Sequence, residues 1–305
     1  MEIISWIVTK QSSQEELAEI FSREMLKPEI FQLPGAYDGM SALIAKQTGF
    51  KGLYLSGAAY TASRGIPDLG MITSEEMVMR AKDLIRSADL PVLVDIDTGY
   101  GGILNIARTA KEMYEARVAA VQIEDQVSPK KCGHLNGKRL ISTEEMVQKI
   151  KVIKETSPSL IVIARTDAAS VAGLDEVIER SNQYAKAGAD AIFPEALSTE
   201  QDFKNVKQKV EAPLLSNMTE FGRTNYYTAD EFEALGYSMV IYPVTALRIA
   251  AKAIENIFEE LMKYGTQLNS LSKMQSRKEL YDIINYYDYE KLDEKIANTV
   301  LPEVE

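Results

Sequence analysis

The sequence is short of reactive side chains: its 305 residues include one cysteine, one histidine and one tryptophan. A lone cysteine excludes an intramolecular disulfide and fits a reducing compartment, the cytoplasm. Basic residues are in deficit, 34 Lys and Arg against 45 Asp and Glu, for a formal charge of -11. That balance argues against nucleic acid or an anionic membrane as the main partner, although a local basic pocket would still suit a small anion. No apolar run approaches the ~20 residues of a membrane span. The opening residues lack a basic segment followed by an apolar one, so no secretory signal is expected. No Gly-x-Gly-x-x-Gly follows the first strand-like run and no P-loop is present, so nucleotide-binding open sheets gain no support. What is present, 46% hydrophobic and 26% charged residues, is ordinary for a soluble globular protein and enough to bury a large core.

The two scarcest reactive residues lie together in Lys130-Lys131-Cys132-Gly133-His134. Flanking lysines and a nearby imidazole favour the thiolate, so Cys132 is expected below the usual thiol pKa of about 8.5. A chance cluster in a surface loop is the plain alternative. His134, two residues away in a short loop, is poorly placed as the oriented base of a Cys–His peptidase.

Along the chain, short apolar runs alternate with helix-length segments. The runs at 31–34, 52–55, 92–95, 120–123, 160–164, 191–193, 213–216 and 239–242 are bounded by turn residues or charge, as buried parallel strands are. Apolar spacings of three and four mark helices at 74–87, 103–116, 142–156, 174–187 and 245–264. Capping residues open several of them at Thr73, Ser142 and Thr228. Small-residue turns close two segments, Ala187-Gly188-Ala189 and Leu235-Gly236. Eight such units predict one (β/α)₈ TIM barrel spanning 1–305, with an N-terminal helix at 14–26 and a C-terminal helical tail at 276–298 rich in apolar and aromatic residues. A doubly wound sheet is the competing architecture. The tail's apolar face calls for a partner surface, and a neighbouring subunit would supply one.

Barrel chemistry sits at the C-terminal ends of the strands, and polar residues gather there. Asp95 and Asp97, two apart, would point the same way from an extended strand end. Two carboxylates so placed call for a cation between them, and oxygen ligands without histidine suit Mg²⁺ or Mn²⁺. Glu124, on the next strand, would join them directly or through water. Capping of a βα turn is the other reading of the aspartates. Arg165 could bind a substrate carboxylate bidentately or pair internally with Asp167 or Glu195. Ser56-Gly57-Ala58 could present backbone N–H groups to an anion or form an ordinary turn. Asn217 and Thr219 offer neutral hydrogen bonds, to a ligand or to their own turn. Tyr54 carries a hydroxyl near a strand end, where most tyrosines pack. A metal, an acidic thiol and several anion binders fit a small polycarboxylate, with the metal stabilising an enolate and the thiol handling a proton at carbon.

The strings YLSGAAYTASRGIPDLG, VDIDTGYGG, VQIEDQ, KKCGHLNGK, ARTDA, FPEA, NMTEFG, YPVTALR and MQSRKELYDIINYYDYE run in order through most of the chain. With them the sequence, from 33 to about 293, resembles the isocitrate lyase/phosphoenolpyruvate mutase superfamily and, within it, the branch acting on 2-methylisocitrate. The resemblance implies a (β/α)₈ barrel and a homotetramer that swaps C-terminal helices. It implies Mg²⁺-dependent cleavage of a tricarboxylate, 2-methylisocitrate, to pyruvate and succinate in propionate breakdown. Asp95 and Asp97 would carry the metal, with Glu124 in its water shell. Ser56, Gly57, Ala58 and Arg165 would hold the pyruvate-side carboxylate. Gly133, Glu195, Asn217, Met218, Thr219, Arg248 and Arg277 would bind the rest. Cys132 would protonate the departing succinate carbanion, supported by Lys131 and His134, and Tyr54 would take the hydroxyl proton. Phe193 and Ile241 would shape a pocket for the extra methyl.

Two departures bear on substrate choice. Ala58 stands where many relatives have glycine, and Leu135-Asn136-Gly137-Lys138 replaces an Arg-Pro-Gly-Lys form. Isocitrate, dimethylmalate and oxaloacetate are the alternative substrates, and a non-catalytic diacid-binding barrel is the alternative class.

Overall fold

In the computed structural model, which describes residues 6–131, 133 and 137–297 and leaves out the side chains of 296 and 297, eight strands alternate with helices. The strands are β1 (Phe31–Pro34), β2 (Leu53–Leu55), β3 (Val92–Asp95), β4 (Ala120–Glu124), β5 (Ile161–Thr166), β6 (Ala191–Pro194), β7 (Leu215–Asn217) and β8 (Met239–Tyr242). The helices are α1 (Gln14–Met25), α2 (Gly39–Thr48), α3 (Gly57–Ser63), α4 (Ser74–Ala88), α5 (Ile103–Glu115), α6 (Thr143–Thr156), α7 (Leu174–Lys186), α8 (Glu200–Lys209), α9 (Ala229–Ala234), α10 (Thr245–Tyr264), α11 (Arg277–Ile283) and α12 (Tyr286–Ala297).

Every strand pairing is parallel, in two runs, β2-β3-β4-β5-β6 and β1-β8-β7. Single parallel bridges, Gly35 to Tyr54 and Ile192 to Leu214, join the runs at both edges. The eight strands therefore close in sequence order, and the TIM-barrel expectation holds. The inner strands β3 to β6 are buried at every position, because helices cover the outside and side chains fill the inside.

The strand ends differ slightly from the sequence pattern. β7 begins at Leu215 rather than at 213, since Pro213 has no N–H to give a ladder. β5 runs on through Arg165 and Thr166, paired to Phe193 and Pro194, so polar residues that read as a strand's end are part of the buried strand. Thr73 and Thr228 form full capping boxes with Glu76 and Glu231, whereas Ser142 caps by accepting from the Glu145 N–H. The turns at Gly188 and Gly236 have φ of 107° and 83°, left-handed conformations that glycine adopts without a Cβ penalty.

Contacts divide the chain into two units, 12–249 and 250–305 together with 1–11. The first contains the barrel. In the second, the helical tail expected at 276–298 is built of two helices, α11 and α12. Asn285 between them has φ of +55°, which no continuing right-handed helix tolerates. Tyr281 stacks on Tyr286 at 4.3 Å across that break. Ile254, Phe258 and Met262 of α10 are exposed. Among the described residues no helix is long and apolar enough to cross a membrane.

Candidate active site

The strand ends deliver an acidic cluster on β3 and β4 facing an arginine on β5. Asp95, the last residue of β3, is fully engaged: Oδ1 accepts from the Asp97 N–H (3.1 Å) and from Gln122 Nε2 (3.2 Å), and Oδ2 accepts from the Gly57 N–H (3.2 Å). A Cβ at Gly57 would lie 3.2 Å from both Asp95 Oδ2 and Asp97 Oδ1, so the two carboxylates converge on a position that only glycine leaves open.

They converge for a different reason than strand alternation. The strand ends at Asp95, and Asp97 sits in the left-handed region at φ +48°, followed by Gly99, Tyr100 and Gly101, also at positive φ. A tight turn, pinned by the Glu124 N–H on the Asp97 carbonyl at 2.9 Å and by Lys149 Nζ on the Thr98 carbonyl at 3.2 Å, brings the second aspartate back.

Asp97 Oδ1 lies 3.0 Å from Lys130 Nζ, which also pairs with Asp68 at 2.5 Å. Burial, opposed by Lys130 and reinforced by Asp95, pushes the Asp97 carboxyl up to about 7. Burial also raises Glu124 well above the usual carboxyl range, against the pull of Arg165 3.5 Å away. Lys130 is 5% exposed; burial works to lower its pKa, but Asp97, Glu124, Asp95 and Asp68 outweigh that and hold it charged.

On the adjacent strand β5, Arg165 donates from Nε and Nη2 to the two oxygens of Asp167, at 3.0 and 3.1 Å. Its Nη1 lies 3.3 Å from Glu195, and its guanidinium stands 5.3 Å above the Phe193 ring. Internal pairing of Arg165, weighed above as an alternative, is therefore present with both named partners. Asn217 Nδ2 donates to Glu195 Oε2 at 3.2 Å. Gly133 is pressed against this group, since a Cβ there would lie 2.5 Å from both Arg165 Nη2 and Glu195 Cγ.

Other expected residues sit less directly. Ser56 is not the head of an open loop; it is the N-cap of α3, its hydroxyl accepting from the Ala59 N–H. Ala58 lies in that helix. Met218 is buried, and its sulfur accepts from the Tyr227 N–H at 3.1 Å. Thr219 is half-buried. Arg248, about half exposed, lies 3.8 Å from Glu220 and over the Phe221 ring. Arg277 opens α11 in the second unit. Cys132 and His134 lie outside the described residues. Phe193 and Ile241 are each 1% exposed.

Tyr54 requires a correction. Its hydroxyl donates to Gln122 Oε1 at 2.8 Å, and Gln122 in turn holds Asp95. Burial, reinforced by Asp95, raises its pKa well above 10, the wrong direction for a base near neutral pH. Its place is in a chain of hydrogen bonds that orients Asp95.

Sequence reading missed Gln122, Asp68, Lys130 and Lys138 as parts of this cluster. Gln122 was readable: a polar residue inside an apolar strand run needs a buried partner. Asp68 and Lys138 come from loops, where spacing carries no such signal.

Among the described residues no three carboxylate, imidazole or thiol side chains form a closed metal cage. Yet two buried oxygens, Asp97 Oδ2 and Glu124 Oε1, have no hydrogen-bond partner. Two converging carboxylates plus orphaned buried oxygens fit a hard divalent cation whose shell is completed by water and ligand oxygens.

An acidic group, an arginine and a glycine-lined approach at the C-terminal ends of barrel strands define a (β/α)₈ enzyme site. The sequence profile described as phosphoenolpyruvate phosphomutase matches residues 21–262. A Bacillus subtilis relative named 2-methylisocitrate lyase is 65% identical over 300 residues, covering 98% of this chain and all of its own. Among solved structures, oxaloacetate acetylhydrolase in complex with 3,3-difluorooxalacetate superposes with a TM-score of 0.88 at 30% identity, over 95% of this chain and 100% of that one. A 2,3-dimethylmalate lyase of the PEP mutase/isocitrate lyase superfamily does so at 0.87 and 34%, over 97% and 100%. The chain belongs to this phosphoenolpyruvate mutase/isocitrate lyase family of enzymes.

Proposed function

We propose that the protein cleaves 2-methylisocitrate to pyruvate and succinate with the help of Mg²⁺ or Mn²⁺. The observation that carries this reading is the paired, partly unsatisfied carboxylate cluster of Asp95, Asp97 and Glu124 facing Arg165, in a chain 65% identical to a named 2-methylisocitrate lyase. Asp95 and Asp97 would hold the cation, with Glu124 reaching it through water. The ion would supply positive charge to the oxygen that becomes anionic as the carbon–carbon bond breaks.

The chain's own groups would do the rest. Arg165, held flat by Asp167, and the backbone at Ser56, Gly57 and Ala58 would orient the carboxylate on the pyruvate side. Gly133, Glu195, Asn217, Met218, Thr219, Arg248 and Arg277 would bind the remainder of the tricarboxylate. Cys132, assisted by Lys131 and His134, would deliver a proton to the succinate carbon. Tyr54 would orient Asp95 through Gln122 rather than act as base, and the unpartnered Oε1 of Glu124 would take the proton lost from the substrate hydroxyl as the carbon–carbon bond breaks. The buried Phe193 and Ile241 would meet the methyl group. We place the enzyme in the cytoplasm, where it would form a homotetramer through the exposed apolar face of α10 and the tail, with no nucleic acid or membrane partner.

The nearest competing reading is the same chemistry on another diacid, because two structural neighbours are an oxaloacetate acetylhydrolase and a 2,3-dimethylmalate lyase. The higher identity to the 2-methylisocitrate lyase weighs against it. Purified protein incubated with 2-methylisocitrate, with oxaloacetate or with dimethylmalate, each with Mg²⁺ or EDTA, separates the readings. Metal-dependent pyruvate from 2-methylisocitrate is expected. Turnover of only another diacid would move the assignment to that substrate, and turnover of none would support a binding barrel.

A further inference from the structure

One buried carboxylate ties together parts of the site that the mechanism uses separately. Asp167 follows β5 and is fully buried. Its Oδ2 accepts from Arg165 Nε at 3.0 Å and Gln126 Nε2 at 3.2 Å. Its Oδ1 accepts from Arg165 Nη2 at 3.1 Å and Lys138 Nζ at 3.0 Å.

Each partner reaches further. Gln126 donates to the Lys131 carbonyl at 2.8 Å and accepts the Lys131 N–H at 2.9 Å, clasping that peptide as a neighbouring strand would. Lys138 Nζ also donates to the carbonyl of Gly133, the residue pressed against Arg165 and Glu195. Asp167 is itself fixed from behind. Its N–H donates to Asp125 Oδ1 at 2.9 Å, and Asp125 Oδ2 accepts from Thr166 and Tyr184, both at 2.8 Å, and from Arg180 at 3.1 Å. Burial works to raise the Asp167 carboxyl, but Arg165 and Lys138 outweigh it and keep it ionised below its ordinary range.

We propose that Asp167, Lys138 and Gln126 are positioning residues of the reaction: they lock the backbone at Lys131 and Gly133 to the guanidinium of Arg165. Substrate then meets Gly133 and Arg165 in one fixed arrangement. None of the three needs to touch substrate. The inference rests on the roles given above to Cys132 and Arg165. It adds the element that couples them, and fixed relative placement of reacting groups is worth orders of magnitude in rate.

The test uses Lys138→Met and Gln126→Leu, which keep side-chain bulk and leave Asp167 paired with Arg165, and Lys138→Arg as the conservative variant. The chain has one cysteine, so alkylation by iodoacetamide reads this segment alone. Rates are compared at the thiolate plateau of each pH profile, which removes differences in ionisation. For Lys138→Met and Gln126→Leu the expected result is a kcat lowered roughly 30-fold or more with KM changed only severalfold, and alkylation faster by about tenfold. Lys138→Arg should recover part of both. Either of the first two variants carries the test alone if the other fails to fold. Wild-type alkylation and kcat in the folded variants would overturn the proposal. So would a loss of activity matched only by loss of folded protein, with alkylation unchanged. If the wild-type enzyme fails to cleave 2-methylisocitrate, the substrate reading falls while the alkylation comparison still judges the clasp.

Discussion

Two glycines of the site are defined by what a methyl group would strike. At Gly133 an added Cβ would lie 2.5 Å from Arg165 Nη2 and Glu195 Cγ, so Gly133→Ala must displace the backbone or the arginine. Misplacement by about 1 Å costs on the order of a hundredfold in rate, and steady-state kinetics should show that loss while the melting temperature stays within a few degrees of wild type. At Gly57 the contact is 3.2 Å, to Asp95 and Asp97. Gly57→Ala should therefore weaken Mg²⁺ binding severalfold in calorimetry without abolishing it. Unchanged affinity would mean that these carboxylates do not hold the ion. The glycines were legible as members of motifs, but the reason for them was not, because close approach belongs to the folded chain.

Titration at Asp97 gives a pH prediction with a definite sign. Its folded-state value of about 7 lies above the ordinary 3.8, so between these pH values the folded protein binds more protons than the unfolded chain. Stability then falls as pH rises through that window. Glu124 and Asp125 are shifted the same way by burial. Asp167, shifted downward, acts only below the window. Melting in EDTA should become easier from pH 5 to 7.5, and Mg²⁺ should restore more stability at pH 7.5 than at pH 5. A melting temperature in EDTA that rises over this range would contradict the upward shift that burial gives Asp97 and Glu124.

At the scale of elements, the strands were readable because a parallel barrel strand is apolar on both faces, and β1, β3 and β8 begin and end where the apolar runs do. The turn after β3 was not readable. Alternation placed Asp97 beside Asp95 in an extended chain, whereas the backbone turns left-handed at Asp97 and again from Gly99 to Gly101. Nor did the Lys149 anchor show, since a lysine on an amphipathic helix reads as a solvated residue. Lys149 is 6% exposed, and burial lowers its pKa. Lys149→Met removes a disfavoured buried charge and also the Thr98 carbonyl's donor, a loss of roughly 1 kcal/mol. The two effects oppose, so melting should shift by only a few degrees. Mg²⁺ affinity should drop severalfold as the turn loosens, and affinity unchanged from wild type would show that the turn needs no such anchor.

For the molecule as a whole, closure of eight strands by the bridges Gly35–Tyr54 and Ile192–Leu214 sets all the strand ends around one mouth. That closure made the candidate site legible, because residues remote in sequence could be assigned to one rim before any contact was known. The acidic and arginine residues at strand ends were found this way, and the loop-borne Asp68 and Lys138 were not. The tail was legible as helical, apolar and sticky, but the place of its break was not, since that depends on one left-handed residue, Asn285. Exposed Ile254, Phe258 and Met262 on α10 are the residues that the proposed tetramer would cover. Phe258→Asp should lower the mass measured by light scattering, and an unchanged mass would remove α10 from the interface.

The central claim is carbon–carbon cleavage of 2-methylisocitrate at the Asp95–Asp97–Arg165 mouth. Its most direct test compares product formation from 2-methylisocitrate and from isocitrate at equal enzyme and Mg²⁺ concentration. The account predicts pyruvate and succinate from the first, far slower glyoxylate from the second, and neither in EDTA. Equal or faster glyoxylate formation, or pyruvate undiminished by EDTA, would contradict it.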